Sequence, residues 1–155
     1  MCAPFFAPNH LTTRPADQAH REALALGHIA ANLFDAPASV GRDLQLVIRI
    51  CRAGIELEPG SAPCWVVLAE AHYLAGDYNS AEAEFGKAAE LKARLTIRDQ
   101  LYLAMTLWRQ GKKQEALRNY QAADERRGSD PVRRTQRDAA ELMGITISPS
   151  TRPSE

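Results

Sequence analysis

Apolar residues recur along this chain with the spacing of helices rather than strands. Trp65, Leu68, Ala69 and His72 fall at i, i+3, i+4 and i+7, which is one face of a helix. Ala81, Phe85 and Ala88 lie on one face of a second helix, and Gly76 separates the two stretches. The same landmarks return 35 residues later, where Leu68-Ala69, Gly76, Ala81, Phe85 and Ala88 become Leu103-Ala104, Gly111, Ala116, Tyr120 and Ala123. Each unit reads helix, glycine turn, helix. A period of this length predicts stacked helical hairpins that bury one another's apolar faces. Small residues at 69 and 81 allow close approach, and Phe85 fills the space between the paired helices.

The pattern extends in both directions. Upstream, Leu44, Val47, Ile48, Cys51 and Ile55 form an apolar stripe, with Val47, Cys51 and Gly54 in the slots that Ala81, Phe85 and Ala88 occupy in the next unit. The helix before it is expected from Pro15, a first-turn proline, to Phe34, burying Ala23, Leu26, Ile29, Ala30, Leu33 and Phe34. The connection Asp35–Gly41 is long for such a turn, and Ser39 is its candidate N-cap. Downstream, Ser129-Asp130-Pro131 opens a seventh helix with Val132, Thr135, Ala139 and Leu142 on one edge, and Gly144 closes it. The expected organisation is a flexible tail over 1–14, a repeat domain over 15–144 and a disordered Ser/Thr/Pro-rich tail over 145–155. Within the domain, the units are 15–59, 62–95 and 97–130, closed by a capping helix over 131–144.

The landmarks resemble the tetratricopeptide repeat (TPR), whose pattern is W-x2-L-G-x2-Y, A-x3-F, A and P. Here it reads Trp65-x2-Leu68-Ala69-x2-His72, Ala81-x3-Phe85 and Ala88, then Leu103-Ala104-x2-Leu107, Ala116-x3-Tyr120 and Ala123. His72 and Leu107 stand in the aromatic slot, Gln100 in the Trp slot, and Ala93 and Gly128 where Pro is usual. The spacing implies one extra residue in the Lys92–Thr96 connection, which is a cheap change in a turn. Glu56-Leu57-Glu58-Pro59, Ala71-His72-Tyr73, Gly76-Asp77 and the Arg-rich last helix resemble a bacterial, planctomycete-type TPR module. That module often follows a protein-kinase or WD-repeat region.

The resemblance implies an all-α, right-handed superhelix of three helix pairs plus the capping helix, the first pair degenerate. It further implies a concave groove lined by the first helix of each pair. The family's register places Pro63, Val66, Glu70, Tyr73 and Leu74 there, then Arg98, Leu101, Met105, Trp108 and Arg109. The expected partner-binding set is therefore Val66, Glu70, Tyr73, Arg98, Leu101, Met105, Trp108 and Arg109. Met105 and Trp108 have a second reading, as packing against a neighbouring helix. Relatives that grip chaperone tails use a Lys/Asn/Arg carboxylate clamp. This chain offers Val66 and Glu70 in place of the Lys and Asn, so only Arg98 matches.

Composition narrows the function further. Of 155 residues, 45% are hydrophobic and 25% charged, an ordinary globular balance. Lys+Arg and Asp+Glu both number 19, so no overall attraction to polyanions is expected, and nucleic acid is not an expected partner. No run approaches the ~20 apolar residues of a membrane span. Three cysteines without a Cys-x-x-Cys pair, and an N-terminus lacking a basic n-region, point to the cytoplasm. Charge is uneven: residues 55–93 hold seven acidic and two basic side chains, and residues 94–140 hold eleven basic and six acidic. Arg126, Arg127, Arg133, Arg134 and Arg137 cluster near the end. They either contact an acidic protein or a nucleic acid, or form a solvated face interleaved with Asp124, Glu125, Asp130 and Asp138.

No catalytic set emerges. His20 and His28 lie near one helix face without a third ligand. His72 reads as a half-buried core histidine and Cys51 as an inert core thiol. Cys64 is expected to be partly exposed and lies beyond the reach of His72. Glu82 and Glu84 flank Ala83 on what reads as a solvated face. Gly76 and Gly111 are turn glycines rather than a phosphate loop. The expectation is a non-enzymatic module without metal or cofactor that binds a peptide or helix of another protein. The alternative is a small chaperone for secretion or complex assembly.

Overall fold

The helical periods fold as read, and glycine ends the helices where the pattern breaks. The computed structural model describes residues 16–35, 43–91, 95–124 and 130–146, and the regular structure in them is entirely α-helical. The helices are α1 (Ala16–Phe34), α2 (Leu44–Leu57), α3 (Ala62–Ala75), α4 (Tyr78–Leu91), α5 (Ile97–Arg109), α6 (Lys113–Asp124) and α7 (Asp130–Met143). Among the described residues no helix is long and apolar enough to cross a membrane. The tails at 1–14 and 147–155, and the candidate caps Ser39 and Ser129, lie outside the described residues, as does 92–94 of the α4–α5 connection.

Three helix ends share one device. Gly76, Gly111 and Gly144 take φ of 84°, 82° and 67°, the left-handed region that costs glycine nothing. The next residue then donates its N–H back into the helix: Asp77 to the His72 carbonyl and Lys112 to the Leu107 carbonyl at 2.9 Å, and Ile145 to the Ala140 carbonyl at 2.8 Å. α7 thus ends as α3 and α5 end, like the first helix of one more unit. The N-termini of α2, α4 and α5 are capped by side chains. Asp43 accepts from the Leu46 N–H at 2.9 Å, and Asp77 accepts from the Ser80 N–H at 3.1 Å. Thr96 and Asp99 form a reciprocal capping box before α5. α2 is therefore capped at Asp43, four residues later than the expected Ser39.

Sequence neighbours pair: α1 with α2, α3 with α4, and α5 with α6. α3 also packs against α1, α2 and α5, and α5 also packs against α4 and α7. The architecture is helical-repeat-like, with three buried clusters bridged by the partly buried Trp65, Tyr102 and Leu103. Phe85 fills the α3–α4 hairpin and Tyr120 the α5–α6 hairpin, both buried as the repeat alignment requires. Val47, Cys51 and Gly54 are buried in the matching slots of α2.

Two expectations are corrected. Ile29 does not join the core and is 49% exposed, because α1 packs through Ala23, Gly27, Ala30 and Phe34 instead. Those residues are small at three positions out of four, so α1 approaches α3 closely and its larger side chains are turned aside. Cys64 is fully buried rather than partly exposed. Its Sγ lies 3.4 Å from the Ala23 carbonyl and accepts from the Ser61 hydroxyl at 3.4 Å, and burial raises its pKa. The sulfur fills space left by two glycines. A Cβ on Gly27 would meet it at 3.4 Å, and a Cβ on Gly54 at 2.5 Å.

Three stability outcomes follow from this packing. Phe85→Ala is expected to cost about 3–5 kcal/mol in urea unfolding, as for a buried aromatic left as a cavity. Gly54→Ala overpacks the α2–α3 contact and is expected to cost about 1–3 kcal/mol. Adding Cys64→Ala should recover part of that loss, since it removes the atom in conflict, and a double-mutant cycle measures the recovery. Truncation before Asp130 strips Ala139, Ala140 and Met143 from the cluster around Leu101 and Met105. Light scattering should show aggregation of that shorter chain.

Candidate functional site

α3 is the helix most enclosed by its neighbours. Cys64 and every side chain from Val66 to His72 are buried, so Glu70 and His72 need partners. His72 finds one on the facing helix of its own hairpin. Its Nδ1 lies 2.7 Å from Glu84 Oε2, with both side chains largely covered. Burial raises the Glu84 pKa, and the contact with His72 works against that rise. Glu84 is therefore not on a solvated face. Glu82 pairs with Lys112 across the α3–α4 and α5–α6 hairpins, with Nζ–Oε2 at 2.7 Å.

Glu70 makes the more elaborate arrangement. It is 3% exposed, although the family register implied a groove position. Two elements meet above it: the last turn of α1, with Phe34 and Asp35, and the first half of α5, with Arg98 and Tyr102. Arg98 Nη2 donates to Glu70 Oε2 at 3.2 Å, and Nε lies 3.0 Å from Glu70 Oε1. Oε1 sits off the N–H direction and receives no hydrogen bond. On the solvent side Arg98 Nη1 and Nη2 donate to the two oxygens of Asp35 at 3.1 and 2.7 Å. The guanidinium carbon stands 5.4 Å from the Phe34 ring centroid and 5.8 Å from that of Tyr102, close enough for cation–π attraction. Side-chain exposure rises outward, from 3% at Glu70 through 29% at Arg98 to 56% at Asp35.

The electrostatics follow from this layering. Burial pushes the Glu70 pKa up to about 8; Arg98 opposes the rise, and Asp99 and Asp35 add to it. Burial disfavours the charge on Arg98, yet Asp35 and Glu70 outweigh it and hold the guanidinium more firmly protonated than usual. Aromatic rings continue along the face. Tyr102 meets Phe34 edge-on at 6.1 Å and Tyr73 edge-on at 5.5 Å, and Tyr73 touches Tyr78 at 5.7 Å. The Tyr73 hydroxyl donates to Met105 Sδ at 3.6 Å.

The expected groove residues thus divide. Tyr73, Arg98 and Trp108 are half-buried and Arg109 is exposed. Leu74 is also exposed. Val66, Leu101 and Met105 are core: Val66 packs with Ala88 and Leu95, and Leu101 and Met105 join the cluster with α7. Leu101 and Met105 therefore do not form an open apolar floor. One face of the Trp108 ring is covered by Lys113, whose Nζ stands 3.5 Å from its centroid. Asp35 and Tyr102 were not among the expected residues. Tyr102 follows Arg98 by four positions and so shares its face of α5, whereas Asp35 lies 63 residues from its partner.

Two other candidates are also placed. His20 Nδ1 lies 2.8 Å from Glu58, a partner its sequence spacing did not suggest. Among the described residues, no group of three or more His, Cys, Asp or Glu is arranged to hold a metal. Burial pushes the Cys51 thiol up to about 12, which keeps it a thiol at neutral pH.

The raised Glu70 pKa has a definite sign in stability. Between about 4.5, its ordinary value, and about 8, the folded protein holds a proton that the unfolded chain has lost. Folding stability from this group is full below that window and falls as pH rises through it. Comparison of native protein with Glu70→Gln in denaturant should show the difference shifting toward the Gln variant with rising pH. The slope is about 1.4 kcal/mol per pH unit inside the window. A pH-independent difference would mean that Glu70 titrates in its ordinary range.

The chain matches no protein-family model and no curated protein, so a functional reading of this face stands on its geometry and chemistry.

Proposed function

We propose that the chain is a TPR-type superhelix that binds a segment of another protein along the face shared by α1, α3 and α5. The observation that carries this reading is the surface running from Arg98 through Tyr102 and Tyr73 to Trp108 and Arg109. It offers half-exposed aromatic rings and guanidinium groups side by side, the residue types in which binding energy concentrates at protein interfaces. An ordinary solvated helix face carries alternating small charges instead. Leu74, exposed at the end of α3, extends the surface with an apolar side chain. The Tyr102 and Tyr73 rings are held by edge contacts, so little side-chain entropy is lost when a partner covers them. The 35-residue helix–turn–helix period and the shared glycine ends of α3, α5 and α7 support the repeat assignment. Free Cys51 and Cys64, both buried thiols, suit a reducing compartment such as the cytoplasm.

Site-specific photo-crosslinking in native lysate tests this reading. A crosslinking residue at Tyr73 or Leu74 should capture a defined partner, whereas one at Ala83 or Gly86, on the exposed side of α4, should not. Capture from α4 alone would move the interface off this face. With the captured partner, Tyr73→Ala and Trp108→Ala proteins that melt like the native one should each lose more than ~2 kcal/mol of binding. Charge changes at Arg109 should act mainly on the association rate.

A further inference from the structure

Arg98 is surrounded as a bound guanidinium ligand would be. A carboxylate grips its outer edge: Nη1 and Nη2 donate side by side to the two oxygens of Asp35, at 3.1 and 2.7 Å. A second carboxylate, Glu70, lies beneath it, and the Phe34 and Tyr102 rings stand 5.4 and 5.8 Å from its central carbon. A planar, delocalised cation held between two carboxylates and two rings is arginine chemistry; an ammonium is a point charge that cannot serve both carboxylates and stack at once. The surrounding groups come from three helices, so the fold assembles the site independently of the side chain that fills it.

Three features go beyond a simple tether. Two carboxyl groups, Asp35 and Glu70, share one guanidinium. Glu70 Oε1 is buried and receives no hydrogen bond even though Arg98 Nε lies 3.0 Å from it, so the present occupant meets that oxygen in poor geometry. The outer half of the arrangement is open: Asp35 is more than half exposed and Arg98 is partly exposed. Arg98 can therefore leave without opening the core.

We propose that Phe34, Asp35, Glu70 and Tyr102 form an arginine-receiving site, which Arg98 fills in the free protein and which an arginine of a partner segment takes over by displacing it. The proposal rests on the reading of the α1–α3–α5 face as the interaction surface, and it specifies the partner as a segment that carries an arginine. Arg98 competes from within the chain at high effective concentration. A lone arginine therefore binds the native protein weakly, and a partner gains the site only with further contacts, which Tyr73 and its neighbours supply. The exchange works as an autoinhibitory contact, lowering apparent affinity by the fraction of molecules in which Arg98 is seated.

The test uses the full chain and small probes. Arg98→Ala vacates the site. Methylguanidinium at low millimolar concentration should then raise the melting temperature of Arg98→Ala saturably, with a midpoint at least about tenfold below that for native protein. Methylammonium at the same ionic strength should not, and adding Asp35→Asn should abolish the effect. In native protein, an arginine-containing peptide taken from the crosslinked partner should shift the Arg98 Nε–H resonance, and its Arg→Lys version should not. Equal responses to methylguanidinium and methylammonium would overturn the proposal, as would an Arg98 resonance indifferent to the peptide. If Arg98→Ala does not fold, the native-protein measurement decides alone. Failure here leaves crosslinking from Tyr73 intact, and failure of the interaction surface removes that crosslinking, so the two are told apart.

Discussion

The enclosure of α3 is the constraint on which the rest of the structure depends. Neighbours α1, α2, α4 and α5 all pack against it, and a helix buried on that many sides would ordinarily be apolar throughout. This one carries Glu70 and His72. An unpaired buried charge costs several kcal/mol, and pairing offsets that only with good geometry. The helices around α3 therefore have fixed duties. α4 must bring Glu84 to His72, and α5 must bring Arg98 to Glu70. The first pair closes within one hairpin and is shut off from solvent. The second draws in the end of α1 and stays open on its outer side.

Close helix contact makes that second arrangement possible. Ala23, Gly27 and Ala30 on α1, with Gly54 on α2, present almost no side chain toward α3, and the Cys64 sulfur fits into the gap. With bulkier residues there, α1 would stand farther off. Its last turn would then not carry Phe34 across α3 to meet Tyr102 of α5 edge-on. Glu70 would lie on an open surface with an ordinary carboxylate pKa. The unusual chemistry of the site thus originates in small residues well removed from it.

This explains which parts were legible in the sequence. Helix periods, glycine ends and the Ala/Phe/Ala slots are local or repeat at fixed spacing, so α3 to α6 could be read directly. The phase of a helix tells which side chains point together, but not what the chain later lays over them. Val66, Leu101 and Met105 share the expected face, yet Leu95 and α7 cover them. Glu84 sits beside Ala83 and Glu82 on a helix that looks solvated, and only its hairpin partner His72 makes it a buried residue. The Asp35–Arg98 pair joins positions with no periodic relation, and Asp35 read as the start of a long connection. The Thr96–Asp99 capping box, visible as a Thr-x-x-Asp spacing, and the caps Asp43 and Asp77 are local signals that the periodic reading passed over.

The two buried charge arrangements also differ in how they respond to their surroundings. His72 and Glu84 share one hydrogen bond in a largely covered space, so solvent ions screen it little, and removing either partner strands the other. In the Glu70–Arg98–Asp35 stack the inner contact is of that kind, while the outer contact faces water. A surface pair such as the outer one contributes on the order of 1 kcal/mol or less and is weakened by salt. The inner contact thus holds a guanidinium in place of bulk solvent, and the outer contact selects weakly among carboxylates and cations that reach the surface. A buried carboxyl group beneath an exchangeable outer layer combines specificity for a planar cation with rapid release. A site buried at both levels would give the specificity without the release, and one exposed at both levels would give the release without the specificity.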